Sequence, residues 1–273
     1  MKRPVPRSRM RLAAGRTYFM WKRYLQWVLD RTAFARTFSE MDLAHCIFRH
    51  ETPTLRELKD VDMWLQHNKQ TNLQLAAKRL NGLILRPGET MSYWRLIGSP
   101  SKRKGYKPGM VLFYGGFKPG IGGGLCQLSN LIYWMTLHTP LSVIERHRHS
   151  YDVFPDSNWT QPFGSGATCA YNYLDLMIHN PTESSYQLKV EVRDHQLKGE
   201  WRGTEQQVYT YEVYEKDHWI TQEFWGSYVR HNVLHRRVYR FDGELHDDEY
   251  ITENHALMMY SPLLEQSNRS EHA

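Results

Sequence analysis

Apolar positions along the chain alternate between a helical and a two-residue period, and the changes of period mark its elements. Leu125, Leu128, Ile132 and Met135 recur at helical spacing with Leu131 and Trp134 beside them, which predicts a helix from residue 126 entered through the glycine-rich run 120–124. Leu73, Ala76, Ala77 and Leu80 share a face and Gly82 follows as a stop signal, predicting a helix over residues 72–80. Residues 83–94 read as two short strands around a Pro87-Gly88 turn, and residues 110–114 as a strand leading into the glycines. Residues 141–145 read as a buried strand that runs on into Arg146-His-Arg-His-Ser150. A strand group is predicted over residues 167–179, and residues 186–193 alternate most cleanly of all. Beyond Gly199 come polar–aromatic strands at 207–214, 219–224 and 233–240, with a turn at Asp242-Gly243.

These elements predict an α+β fold: a mixed or antiparallel sheet packed on a central helix that starts at the glycine-rich cysteine motif, with a β-rich C-terminal extension. The chain divides into a basic, aromatic helical arm (residues 1–70), a core domain (71–199) and the extension (200–273). Within the arm, a helix over residues 17–32 would carry Lys22, Arg23 and Arg31 beside Tyr18, Phe19, Trp21, Tyr24 and Trp27.

Charge changes the picture of the arm and little else. Eight Lys and Arg residues precede the first acid, Asp30, so the net +6 belongs to the N-terminal segment and the rest is close to neutral. Basic and aromatic residues together suit an anionic membrane surface for residues 1–35. The plainer alternative is a packing helix with a basic tail. No recognition-helix or RNA-binding motif accompanies the charges, so nucleic acid is not expected as a partner. Cys46, Cys126 and Cys169 form no Cys-x-x-Cys pair and no even framework, which suggests reduced thiols. With no secretory signal and no apolar run of about 20 residues in view, the sequence reads as cytoplasmic, with peripheral contact at the inner membrane face.

Candidate chemistry centres on Cys126. A thiol at a helix start meets unpaired N–H groups and the positive end of the helix dipole, which favour a thiolate. Gly122, Gly123 and Gly124 would let a substrate backbone approach, and Gln127 could aim an amide at a developing oxyanion. The alternative is a small residue at the buried start of a core helix. If the strand at 141–145 continues, His147 and His149 share a face and either could act as base. Asp152, Asp156 and Asp175 are candidate orienting groups, with Glu145 behind them. Cys126, His147 and His149 would suit zinc, but no spaced Cys/His pair supports a metal site. A dinucleotide-binding loop is excluded because Leu125 stands where the third glycine would fall, and no Gly-Lys-Ser/Thr supports a phosphate loop. No cofactor is expected.

The motifs Leu85-Arg-Pro-Gly-Glu-Thr-Met-Ser-Tyr-Trp94, Gly122-Gly-Gly-Leu-Cys-Gln-Leu-Ser-Asn130, Ile144-Glu-Arg-His-Arg-His149 and Asp175-Leu176 resemble the VanW family, associated with glycopeptide resistance. The likeness covers roughly residues 71–195, and Thr252-Glu-Asn-His-Ala-Leu-Met-Met-Tyr260 resembles the tail of resistance-cluster members. The resemblance implies cysteine-dependent acyl transfer on peptidoglycan stem peptides, of the L,D-transpeptidase kind. It makes Cys126 the nucleophile and His149 the base, with His147 second. Gln127 and the turn amides would serve the oxyanion, Asp152, Asp156 or Asp175 would orient the base, and Gly122, Gly123, Gly124 and Ser129 would line the substrate. Where the family commonly has Asp-Ala-Thr, this chain has Gly166-Ala167-Thr168, so a carboxylate that could orient the base must come from elsewhere. The competing implication is a non-catalytic accessory protein that binds wall precursors or partner proteins.

Overall fold

A computed structural model describes residues 7–55, 62–153 and 161–262. Helix α1 (Arg9–Leu29) comes first, followed by strands β1 (Thr37–Phe38) and β2 (His45–Pro53) and helix α2 (Met63–Leu80). Strands β3 (Leu83–Leu85) and β4 (Thr90–Ser92) lead into the short helix α3 (Tyr93–Ile97). The hairpin β5 (Pro108–Phe113) and β6 (Gly116–Ile121) precedes α4 (Cys126–Thr136). Then come β7 (Ser142–Glu145), β8 (Tyr151–Asp152), β9 (Met177–His179), β10 (Tyr186–Arg193) and β11 (Gln196–Gly203). Three long strands close the described chain: β12 (Tyr209–Gln222), β13 (Tyr228–Arg240) and β14 (Leu245–Met258). The fold is α+β, as the sequence predicts, with antiparallel pairing dominant.

The central sheet has the order β1-β3-β10-β11-β2, and α2 and α4 pack on it. Leu73, Ala76, Ala77 and Leu80 of α2 are buried together with Leu128, Leu131, Ile132 and Met135 of α4, Leu188 of β10 and Trp201 of β11. The Trp201 indole N–H donates to Thr136 Oγ1 at 3.1 Å, which satisfies a buried donor and ties β11 to α4. Gly199 is the point of closest approach, since a Cβ there would stand 2.7 Å from Met135 Cε and 2.9 Å from Leu131 Cδ2. A smaller sheet, β4-β9-β7, flanks the start of α4, and β12-β13-β14-β8 forms the extension, with β8 parallel to β14.

Several sequence expectations are revised. Helix α1 begins earlier than residue 17 and ends at Leu29. Residues 37–53, grouped on sequence with the arm, add β1 and β2 to the central sheet. Strand β2 has no fully buried position, so its apolar alternation is weak. Strand β7 stops at Glu145, and only residues 177–179 of the expected strand group 167–179 are extended in a sheet. The chain leaves the sheet at Arg146, whose guanidinium binds the carbonyls of Gly164 and Gly166 and the Asn254 amide oxygen. His147 and His149 therefore do not sit on a common strand face.

Candidate active site

The glycine-rich run delivers Cys126 to the first turn of α4 by packing tightly on its neighbours. A Cβ on Gly123 would lie 2.2 Å from the carbonyl of Gly109 in β5, and one on Gly124, whose φ is +90°, would lie 2.2 Å from Lys69 Cγ. Gly122 is backed by Pro100, 2.6 Å from the same construction. Fully buried Asn72 of α2 holds the run: its Nδ2 donates to the carbonyls of Gly123 (2.9 Å) and Lys107 (3.0 Å), and its Oδ1 accepts from the Lys107 N–H. These glycines face the protein's own β5, α2 and Pro100. Internal packing therefore requires their bare backbone.

Cys126 is half-buried, and its Sγ lies 3.6 Å from the carbonyl oxygen of Cys169. Burial pushes the thiol up from its ordinary value, and hydrogen bonds with the backbone of Cys169 and of Cys126 itself pull it down by less. The thiolate expected from a helix start is therefore opposed by desolvation. Ser129, fully buried one turn on, donates to the carbonyls of Ala167 (2.7 Å) and Cys126 (3.1 Å) and locks α4 to the 167–169 segment. Gln127 turns the other way. Its amide nitrogen donates to Thr52 Oγ1 and to the Pro53 carbonyl, both at 2.9 Å, and so fixes α4 to β2. Both side chains thus make structural bonds, where the sequence expects Gln127 to serve an oxyanion and Ser129 to line the substrate.

The carboxylate that serves a histidine here is Glu145. It accepts from His147 Nε2 at 3.0 Å, from both terminal nitrogens of Arg23 at 2.7 and 2.5 Å, and from the Asp175 N–H at 3.2 Å. Burial alone would raise its pKa, but the His147 and Arg23 hydrogen bonds, the Arg23 charge and the Asp175 amide hold it down at about 2. The spacing Glu145-x-His147 was the signal available in the sequence. His147 also accepts the Thr168 N–H on its carbonyl at 2.7 Å. The Cys169 carbonyl, next along, meets the Cys126 thiol, so the His147 backbone and the Cys126 side chain bind adjacent residues. Burial, with the nearby Arg146 charge, lowers His149 to about 4, so its imidazole is held in the neutral form.

The candidate aspartates Asp175 and Asp152 are engaged by other partners. Fully buried Asp175 accepts from Ser92 Oγ (2.5 Å), the Trp94 N–H (3.0 Å) and the Leu176 N–H (2.9 Å), and thereby secures the start of α3. Asp152 pairs with Arg230 and accepts from the Tyr260 hydroxyl. Asp156 lies outside the described residues. At Gly166 a Cβ would meet Asn130 Oδ1 at 2.8 Å, so Asn130 closes the place of the family aspartate, and the Gly166 carbonyl accepts from Arg146. Among the described residues no three His, Cys, Asp or Glu side chains gather to hold a metal ion.

Asp175 makes a pH prediction. Burial raises its carboxyl from 3.8 to about 6, with Ser92 and the Trp94 N–H opposing. An acid whose folded pKa is raised binds more protons folded than unfolded, so its contribution to stability falls as pH rises from about 4 to about 6, by about 3 kcal/mol at most. Asp175→Asn keeps the shape and the acceptor for both N–H groups. Thermal unfolding from pH 4 to 6.5 is expected to show wild type losing stability relative to this variant. Parallel curves would remove Asp175 as the cause.

The pattern that matches the family model described as "VanW like protein" spans residues 68–202, which takes in most of α2, the glycine-rich run, α4, β7 and the strands up to β11. The chain is 34% identical over 231 residues to the Vancomycin B-type resistance protein VanW of Enterococcus faecalis, covering 85% of this chain and 84% of that protein. It belongs to the VanW family. A stretch of 113 residues is 29% identical to the uncharacterized protein YoaR of Bacillus subtilis, covering 41% of this chain and 36% of that one. No solved structure matches the chain.

Proposed function

We propose that this chain is a cysteine acyl transferase acting on cell-wall stem peptides, with Cys126 as nucleophile and His147, oriented by Glu145, as its base. The observation that carries this reading is a helix-start thiol on the carbonyl of Cys169, next in sequence to Thr168, whose N–H donates to the backbone carbonyl of the Glu145-paired His147. His147 takes the Cys126 proton, and the sulfur adds to the donor carbonyl. The tetrahedral intermediate collapses to a thioester as the C–N bond to the terminal residue breaks, and His147 returns the proton to the leaving amine. An acceptor amine then attacks the thioester, gives up its proton to His147 and restores the thiol. With the Gln127 amide engaged by β2, oxyanion stabilisation falls to backbone N–H groups at the α4 start. The Cys126 thiol meets the Cys169 carbonyl in the resting arrangement. Thr168 Oγ1 and both amide atoms of Asn172, three residues further on than Cys169, are buried without a hydrogen-bond partner among the described residues, which supports a peptide-binding role nearby. The name of the Enterococcus faecalis relative connects this reading to vancomycin resistance.

A second reading, an accessory protein that binds wall precursors without chemistry, is favoured by the raised Cys126 thiol and the structural engagement of Gln127 and Ser129. A transfer assay with stem-peptide donor and amine acceptor separates the two. Cys126→Ala is expected to lower the rate by about 10³-fold or more, and His147→Gln by about 10²-fold. Full activity in Cys126→Ala would end the acyl-transfer reading, and calorimetry with the same peptides would then test the binding one.

A further inference from the structure

Helix α1 is amphipathic in a way the fold does not use. None of its 21 residues is fully buried. One side docks on the core: Arg23 grips Glu145, the Tyr24 and Tyr171 hydroxyls lie 2.6 Å apart, and Trp27 packs against the core beneath the Arg95 guanidinium. The opposite side carries Met10, Ala14, Tyr18, Trp21, Leu25 and Val28, spaced at three and four residues so that they share a face. All are exposed, with Trp21 at 70% and Val28 at 79%.

Charge says what covers this stripe. Residues 7–29 contain five arginines and one lysine and no acid. Arg23 is neutralised by Glu145, whereas Arg7, Arg9, Arg11, Arg16 and Lys22 are exposed, and none makes an ion pair among the described residues. At helical spacing Arg11 and Lys22 border the apolar stripe. A second copy of this helix would bring like charges together. Nucleic acid would leave the aliphatic side chains unused. An anionic bilayer takes both, with Trp and Tyr rings at headgroup depth and the basic residues against lipid phosphates. No described helix is long and apolar enough to cross a membrane.

We infer that α1 is an interfacial anchor that lays its Met10–Trp21–Val28 face in an anionic membrane surface while its Arg23 face stays locked to Glu145. The Glu145–His147 pair then lies about one helix diameter, about 10 Å, from the lipid headgroups. The membrane inference itself does not depend on the acyl-transfer reading.

The test is co-sedimentation of the full chain with phosphatidylcholine vesicles, with and without phosphatidylglycerol. Binding is expected to rise at least about tenfold with phosphatidylglycerol and to fall as salt is raised. The double variant Trp21→Glu, Leu25→Glu is expected to lose that binding with an unchanged Tm, because neither side chain touches the core. Three results would overturn the inference: no sedimentation with either vesicle, equal binding to both, or a double variant that binds like wild type. A wild-type dimer that the double variant splits, without vesicle binding, would assign the stripe to a second copy, and binding of an RNA oligonucleotide in place of vesicles would assign it to nucleic acid.

Discussion

Gly123→Ala is expected to lower the stability of the folded chain by about 3 kcal/mol and to slow acyl transfer with it. The added methyl would stand 2.2 Å from both the carbonyl carbon and the oxygen of Gly109 and 2.7 Å from the Met110 nitrogen, all backbone atoms of β5 that have no rotamer to escape into. Loop and strand must part, and the parting breaks the Asn72 hydrogen bonds that hold Gly123 and Lys107 together. Urea unfolding measures the first effect. The reciprocal Gly109→Ala, whose methyl would meet the Gly123 carbonyl oxygen at 2.4 Å, should be damaged similarly. A Gly123→Ala protein of wild-type stability would show that the run does not rest on β5.

Glu145→Ala is expected to cost about 3 kcal/mol at neutral pH, since it strands the Arg23 guanidinium in a largely buried position. It is also expected to reduce transfer about 10²-fold by releasing His147. Its pH signature is distinctive. The Glu145 carboxyl is held at about 2 against an ordinary 4.5, so its stabilisation is fully present above pH 4.5 and is lost as pH falls toward 2. The variant should lack that acid-side loss, and acid unfolding curves of equal slope would contradict the ion-pair account. Because Arg23 belongs to α1, the substitution should also loosen the arm, seen as faster amide exchange through residues 19–27.

How much of this was legible in sequence depended on whether a pattern was local. Helix α4 and strand β10 follow from periodicity, because their apolar faces are built of large side chains. Strand β11 was hidden because two of its inward positions are Gly199 and Gly203. The glycine at 199 makes room for Met135 and Leu131 and reads, in sequence, as a break. Strand β6, Gly-Phe-Lys-Pro-Gly-Ile, has little strand propensity of its own and is held by pairing with β5. At the site, Cys126 at a helix start was readable. The partner of His147 is obscured in sequence, because residues 141–145 read as a buried strand that would hide Glu145, whereas β7 exposes alternate residues and ends there. Asp175, Gln127 and Ser129 have the right chemistry for a site, but their bonds lie across long sequence separations to Ser92, β2 and Ala167. The Arg23–Glu145 pair, 122 residues apart, has no local signature at all.

The most direct test is the intact mass of the protein after incubation with a stem peptide in the absence of acceptor amine. Acyl transfer through Cys126 predicts a mass increase equal to the donor less its terminal residue, carried by the peptide that contains Cys126 and missing in Cys126→Ala. An unchanged mass, with the stem peptide bound but intact, would contradict acyl transfer and leave the chain a binding protein.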